Sequence, residues 1–199
     1  MTEFEIYFNL GKDHILDYKN GYDHILFVTA LCALYQWRDW KRVLILVTAF
    51  TVGHSVTLAL ATLQIISFSP DWVEFLIPVT IFITAFSNIF KSEGGAASGK
   101  MVQINYLYAL FFGLIHGMGF SNYLRAILGK DRSIITQLFA FNVGLEIGQI
   151  IIVAIFLTLA FLCVELFKVN RRDWRLVISA LIAGMSLVLI HEKLNVLTG

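Results

Sequence analysis

Long apolar runs separated by short polar segments occupy the chain from about residue 22 to its end. Several runs approach the length of about 20 residues that an α-helix needs to cross the hydrocarbon core of a bilayer. The pattern predicts six membrane-spanning helices, and the fifth is long enough to tilt or to extend into water. We therefore predict an all-α integral membrane protein with a single helical membrane domain, residues 1–199. The predicted spans are about 22–36, 41–66, 72–90, 103–122, 134–167 and 174–194.

The first 20 residues differ from the rest because apolar side chains are interleaved with charged ones. Phe4 and Ile6 alternate with Glu3 and Glu5, so this segment is too polar to span a bilayer. We predict that residues 1–20 form an interfacial or re-entrant segment that tucks against the bundle. The segment also lacks the continuous apolar stretch of a cleavable signal peptide, and we expect none.

The composition supports a membrane location. The chain is 58% hydrophobic and 15% charged, whereas soluble domains are about 45–50% apolar and about 25% charged. The expected surroundings are therefore membrane lipid, and the net charge of +1 gives no reason to expect a nucleic acid partner. Cys32 and Cys163 lie inside apolar runs, so we expect buried free thiols rather than a disulfide or a cysteine zinc motif.

The distribution of cations predicts an orientation in the membrane. The loops after the first, third and fifth predicted spans carry nine of the 15 Lys and Arg residues, and the rest of the chain carries six. Cytoplasmic loops are the ones enriched in Lys and Arg, so both termini are predicted to lie outside the cytoplasm. Tryptophans favour the membrane interface. All four lie at predicted ends of spans: Trp37, Trp40, Trp72 and Trp174.

Ionisable residues inside the predicted spans are costly in a bilayer, and such residues usually face the interior of a bundle. Three histidines, His24, His54 and His116, and two acids, Asp23 and Glu146, are of this kind. His54 lies about 13 residues, roughly 20 Å, along its span. With alternating span directions the other four fall at overlapping depths. We therefore predict that these residues meet and ligate one metal ion.

Other polar residues indicate how the predicted site is surrounded. Asn142, Glu146 and Gln149 are spaced i, i+4 and i+7, so they share one face of a helix. We expect Asn142 and Gln149, together with His14 and Glu74, to lie around the metal or along a pathway to it. Glycine pairs at GxxxG spacing predict close helix contacts in the fourth and fifth spans. These glycines are Gly113, Gly117, Gly144 and Gly148.

The donor types in the predicted group restrict the ion. Imidazole nitrogens and carboxylate oxygens suit Ni²⁺, Co²⁺, Zn²⁺ or Fe²⁺. Neither cysteine belongs to the group, which argues against Cu⁺ and thiolate sites. We therefore expect a divalent transition metal ion, with Ni, Co and Zn as the candidates.

The segments that carry these residues resemble the motifs of one protein family. The motifs are GYDHILF at 21–27, FTVGHSVTL at 50–58, FGLIHGMGF at 112–120 and FNVGLEIGQ at 141–149, with shorter matches at 14–16 and 73–74. In this order they are similar to the HupE/UreJ family of bacterial membrane proteins, specifically to its second branch. The resemblance implies permeation of nickel or cobalt across the bacterial inner (cytoplasmic) membrane.

A transport function assigns roles to the predicted ligands. Asp23 and His24, with His14, would capture the ion from outside, and the other predicted ligands would pass it inward. The sequence contains no nucleotide-binding motif, so transport would be passive, driven by the membrane potential or coupled to protons. A moderate-affinity site near the middle of the membrane is typical of secondary transporters.

A membrane-embedded zinc hydrolase is the alternative, so the sequence leaves open whether the protein is an enzyme. The three histidines, with Asp23 and Ser55, resemble in residue type the set used by the CREST group of membrane hydrolases. Three histidines would hold Zn²⁺ with a fourth position open to water, whose pKa falls towards neutrality. Asp23 or Glu146 would act as general base, and Ser55 would orient the scissile carbonyl of a lipid or lipid-modified substrate. A third possibility is an accessory subunit in which the polar residues only join helices.

Overall fold

The computed structural model describes residues 2–19, 21–91, 99–128 and 134–198, and the regular elements in these ranges are helical. A short 3-10 turn, Trp37–Asp39, precedes the third α-helix, and a π-helical segment, Leu162–Leu166, follows the seventh. The α-helices are α1 (Glu3–Leu16), α2 (Tyr22–Cys32), α3 (Trp40–Thr62), α4 (Pro70–Phe90), α5 (Gly99–Gly119), α6 (Ser121–Leu128), α7 (Ile134–Phe161) and α8 (Arg171–Thr198).

Four helical segments of the described chain are long and apolar enough to cross a membrane. They correspond to the second, third, fifth and sixth predicted spans, and they are Trp37–Thr62, Pro70–Phe90, Ile134–Leu166 and Arg171–Thr198. The first predicted span is helical only over the 11 residues of α2. At 1.5 Å per residue α2 is roughly 16 Å long, about half the thickness of a hydrocarbon core. The count of six spans therefore stays a prediction.

Local chemistry explains where several helices begin and end. At the start of α1, Thr2 and Glu5 form a capping box, with the Glu5 carboxylate accepting from the Thr2 backbone N–H at 2.8 Å. The second predicted span ends at Thr62 rather than at 66, because Gln64 adopts a φ of 59° that a helix cannot continue through. Pro70 then occupies the first turn of α4, where its missing N–H costs nothing.

The short helix α2 lies at the centre of the bundle. It packs against α1, α3, α4, α7 and α8. It is apolar on every side, and most of its residues from His24 to Cys32 are buried. A helix that is hydrophobic all round is stable only when it is surrounded. Because α2 is enclosed by longer helices, it need not span the bilayer itself.

Glycines set the closest contacts between helices. Where α3 meets α5, a Cβ atom on Gly53 would collide with the carbonyl oxygen of Leu110, and one on Gly113 with that of Phe50. Where α1 meets α7, a Cβ atom on Gly144 would collide with the carbonyl oxygen of Phe8. The predicted close approach at the GxxxG pairs is thereby confirmed, and so is the predicted tucking of the N-terminal segment against the bundle.

The two ends of the bundle differ in charge. One end, named here the open end, carries Asp23, Glu74 and Lys193 around a large cavity. The opposite end, named the basic end, carries Arg38 and Arg171 around a smaller cavity. Each helix that crosses the bundle therefore connects an end rich in acids with an end rich in cations.

Candidate metal centre

Four imidazoles from four helices converge beneath the open end. They belong to His14 on α1, His24 on α2, His54 on α3 and His116 on α5. The ring centroid of His24 lies 4.6 Å from that of His14, 6.4 Å from that of His54 and 5.4 Å from that of His116. One nitrogen from each of His14, His24 and His54 lies within 4.8 Å of the other two. These three histidines could hold a metal ion, and His116 lies beside them.

Most nitrogen atoms of this cluster are buried and lack hydrogen-bond partners. His54 is 0% exposed, His116 is 1% exposed and His24 is 5% exposed. Nε2 of all four histidines and Nδ1 of His54 are without a hydrogen bond. Leaving one buried polar atom unsatisfied costs about 1–3 kcal/mol, so native proteins rarely do it. Several such atoms at one point indicate a site built for a ligand.

Hydrogen bonding sets the tautomer of His116. Its Nδ1 lies 2.9 Å from the carbonyl oxygen of Phe112, one turn earlier on α5. A carbonyl oxygen only accepts, so the ring proton resides on Nδ1 and Nε2 keeps a free lone pair. Metal-binding histidines are commonly oriented by such a bond from their other nitrogen.

Asp23 orients the neighbouring His24. Its Oδ1 lies 3.0 Å from Nδ1 of His24 and accepts the His24 backbone N–H at 2.9 Å. A carboxylate at this position orients the His24 ring through Nδ1 and leaves Nε2 as the nitrogen available to an ion. On α1, burial lowers the pKa of His14 to about 3, and the neighbouring His24 acts in the same direction. His14 is therefore neutral at pH 7 and available as a ligand.

A cavity of about 870 Å³ leads from the open end to His14, His24 and His116. Lys193 is the only Lys or Arg among its described lining residues, and its Nζ donates to Glu74 Oε2 at 2.7 Å. A cleft lined mainly by one sign of charge raises the local concentration of the opposite ion. The cavity therefore attracts cations. Its acids are Asp13, Asp17, Asp23, Glu74 and Glu192.

Phenylalanines close the opposite side of the histidine cluster. Phe27 and Phe50 each lie with their ring centroid 5.1 Å from that of His116. Their own centroids are 4.9 Å apart, and Phe112 packs against Phe27 at 5.8 Å. Beyond Phe112 lies a second cavity of about 300 Å³ that reaches Lys91 towards the basic end. His14, His24 and His116 are thus accessible from the open end, and aromatic rings separate the cluster from the basic end.

Glu146, a predicted ligand, occupies a different environment. Its carboxylate accepts hydrogen bonds from Thr48 at 2.6 Å and from Thr51, so it lies between α7 and α3. It is not part of the group of three histidines. Phe141 fills the side of α7 next to the cluster, with its ring stacked 6.4 Å from that of His54. The residue that reaches the histidines from α7 is therefore aromatic.

The remaining predicted residues are distributed around this arrangement. Gln149 is fully buried and its Oε1 lies 2.9 Å from the Thr51 hydroxyl oxygen, in the same polar group as Glu146. Asn142 donates to the carbonyl of Leu138 within α7. Glu74 lines the open cavity. Ser55, proposed for hydrolysis, donates at 2.6 Å to the carbonyl of Thr51 within α3 and does not line the cavity.

From the sequence, His14 was expected only around the metal or along a pathway to it. In the structure it is one of the three histidines whose nitrogens lie within 4.8 Å of one another. Its position follows from the contact of α1 with α7 at Gly11, where a Cβ atom would collide with the carbonyl of Phe141. The sequence feature that could have indicated this position is Gly11, a glycine three residues before His14 in a polar segment. On the other side His14 is packed against Phe120, with 4.0 Å between ring centroids.

Comparison with known proteins agrees with these motifs. The family model described as HupE / UreJ protein matches residues 1–193, and this range includes all four clustered histidines. No curated protein and no solved structure matches the chain. A match over nearly the whole length, with the histidines inside it, shows that the chain belongs to the HupE/UreJ family of membrane proteins.

Proposed function

We propose that the protein is a permease for a divalent transition metal ion of the nickel or cobalt type. The observation that carries the proposal is the convergence of unpartnered imidazoles at the base of an acidic, open cavity. Membership of the HupE/UreJ family, which implies handling of nickel or cobalt, supports the same function. The metal ion is the substrate and passes through the protein.

The ion would reach the histidines in stages. The acids of the open cavity concentrate cations, and Asp23 supplies a negative charge at the base of the cavity next to His24. His14 and His24 line the cavity, so they would contact the ion first. His54 does not line it and would be the deeper ligand. His116 lies beside His24 and would either complete the coordination of the ion or receive the ion from the other histidines.

The ligand geometry requires a small contraction on binding. Zinc and similar ions hold imidazole nitrogens at about 2.0–2.1 Å, which puts two tetrahedral ligand atoms about 3.3 Å apart. The three histidine nitrogens lie within 4.8 Å of one another, so an ion would draw the rings together. Nitrogen donors of this kind suit nickel, cobalt and zinc better than magnesium or calcium.

Release requires the aromatic barrier to open. Alternating access means that a site near the middle of the membrane opens to one side at a time. The present arrangement, with the cavity open and the rings of Phe27, Phe50 and Phe112 packed below His116, corresponds to one such state. Separation of these rings would connect the histidines with the second cavity near Lys91. The excess of cations at the basic end supports an orientation in which that end faces the cytoplasm.

Uptake of radioactive nickel into proteoliposomes tests the proposal. His54→Ala and His116→Ala should each reduce the initial rate by about 10-fold or more, because each removes a nitrogen from a small ligand set. His191→Ala is the matched control, since His191 is an exposed histidine near the end of α8, 3.4 Å from Asn195. Equal uptake by empty liposomes and protein-containing liposomes would refute transport. Equal rates in the His54→Ala, His116→Ala and control variants would refute the proposed site.

A further inference from the structure

The smaller cavity at the basic end, around Arg38 and Arg171, has no histidine among its described lining residues. It has a volume of about 280 Å³ and is formed by the segment 33–38 after α2, the end of α7 and the start of α8. Its walls combine apolar residues such as Phe161 and Val164 with the side chains of Arg171, Trp174 and Arg175. Leu34 and Tyr35 also line the cavity near Lys91, but the metal pathway proposed above uses neither the arginines nor Trp174, so these side chains need a separate explanation.

Arg175 is the unusual residue of this cavity. It is only 9% exposed, and its Nε is buried without a hydrogen-bond partner. The indole Nε1 of the adjacent Trp174 is also buried and unpartnered. Arginine is almost never buried unless it is paired, and a buried charge without a partner is strongly unfavourable. Two unpartnered donors at one cavity indicate that an acceptor-rich, negatively charged group completes it.

The charge of the cavity fits an anion. The charged residues among its described lining are Arg38, Arg171 and Arg175 against one acid, Glu165, which leaves a net charge of +2. Glu165 is already paired, because its Oε1 accepts from Arg171 at 2.9 Å. The cavity also lies at the N-terminal end of α8, where the helix dipole favours negative charge.

We propose that this cavity binds a phosphate group, and that its source is the headgroup of an anionic phospholipid. Phosphate offers several acceptor oxygens, which match the fork of donors on arginine. The apolar wall beside the arginines favours a lipid over free phosphate. Phe161 is 47% exposed, and Leu166 and Phe167 beyond it are 62% and 71% exposed, so acyl chains can lie along this end of α7. Tryptophans at the same level are typical of the membrane interface.

Direct binding measurements on the full-length purified protein test this site. Native mass spectrometry would count bound phosphatidylglycerol and compare it with phosphatidylcholine and with inorganic phosphate. Arg175→Gln should weaken phosphatidylglycerol binding by about 10-fold or more, because a charge-assisted hydrogen bond is lost. Arg172→Ala is the matched control, since Arg172 is an exposed cation of the same helical turn that does not line the cavity. Glu165→Gln should strengthen binding because it raises the net charge of the cavity.

Each outcome bears on the proposal. Selective binding of phosphatidylglycerol that Arg175→Gln weakens and Arg172→Ala preserves would support the lipid site. Saturation by inorganic phosphate with the same dependence on Arg175 would support the phosphate site and identify the soluble anion as its source. Equal binding of the two lipids, or equal losses in the two arginine variants, would overturn it. If Arg175→Gln does not fold, Arg171→Ala replaces it, and unchanged binding in that variant would likewise overturn the proposal.

Discussion

A methyl group added at Gly144 tests whether the docking of α1 builds the histidine cluster. In Gly144→Ala the new Cβ would lie 2.8 Å from the carbonyl carbon of Phe8 and 3.0 Å from the backbone nitrogen of Lys12, and still nearer to the oxygen of Phe8. Ordinary contacts of this type begin at 3.4 Å. The contact with the carbonyl carbon alone requires the backbone of α1 to move by roughly 0.6 Å, the difference between 2.8 and 3.4 Å, and the nearer oxygen requires a larger shift. His14 moves with the helix.

The energetic effect follows from this collision. Because the obstacle is backbone rather than a flexible side chain, the strain is of the overpacking kind, about 1–3 kcal/mol. If ion binding requires the docked position of α1, the free energy of ion binding becomes less favourable by the amount of this strain. The dissociation constant for nickel should then rise by about 5- to 150-fold.

Isothermal titration of purified protein with nickel measures this change. Gly184→Ala is the matched control, because the same substitution on α8 meets nothing within 4 Å. Thermal unfolding of both variants shows whether the fold is retained. Nickel affinity in folded Gly144→Ala equal to that of Gly184→Ala would show that docking of α1 does not build the histidine cluster, since α1 would then be displaced without consequence for the site.

Two further predictions concern polar groups outside the cluster. Glu146→Gln should leave nickel affinity unchanged in the same titration, because its carboxylate is held by Thr48 and Thr51; a loss of about 10-fold or more would show that Glu146 is a ligand. Asn88→Ala should lower the free energy of unfolding by about 1–3 kcal/mol, because Asn88 Nδ2 donates at 2.7 Å to the buried carbonyl of Ala30. Chemical denaturation measures this, with the exposed Ser87→Ala as control, and equal stability of the two variants would contradict it.

Helix α7 shows which features depend on local periodicity and which depend on packing. The spacing of Glu146 and Gln149 predicts a shared helix face, and both side chains meet Thr51, because helical periodicity is a local property. Which neighbour that face meets depends on packing. Gly144 and Gly148 turn another face of α7 towards α1, and the polar face is directed to Thr51 on α3. Glu146 consequently lies outside the group of three histidines although its depth agreed with theirs.

The helical class, the membrane character, the family motifs and the glycine positions at which helices touch could all be predicted from the amino-acid sequence. All of these depend on composition and on short-range periodicity, which the chain carries without knowledge of its neighbours. The enclosed central position of α2 and the grouping of His14 with His24 and His54 depend instead on how the helices pack. So does the separation of the cluster from the basic end by three phenylalanines. These features arise from contacts between residues far apart in sequence, and packing of whole helices sets such contacts.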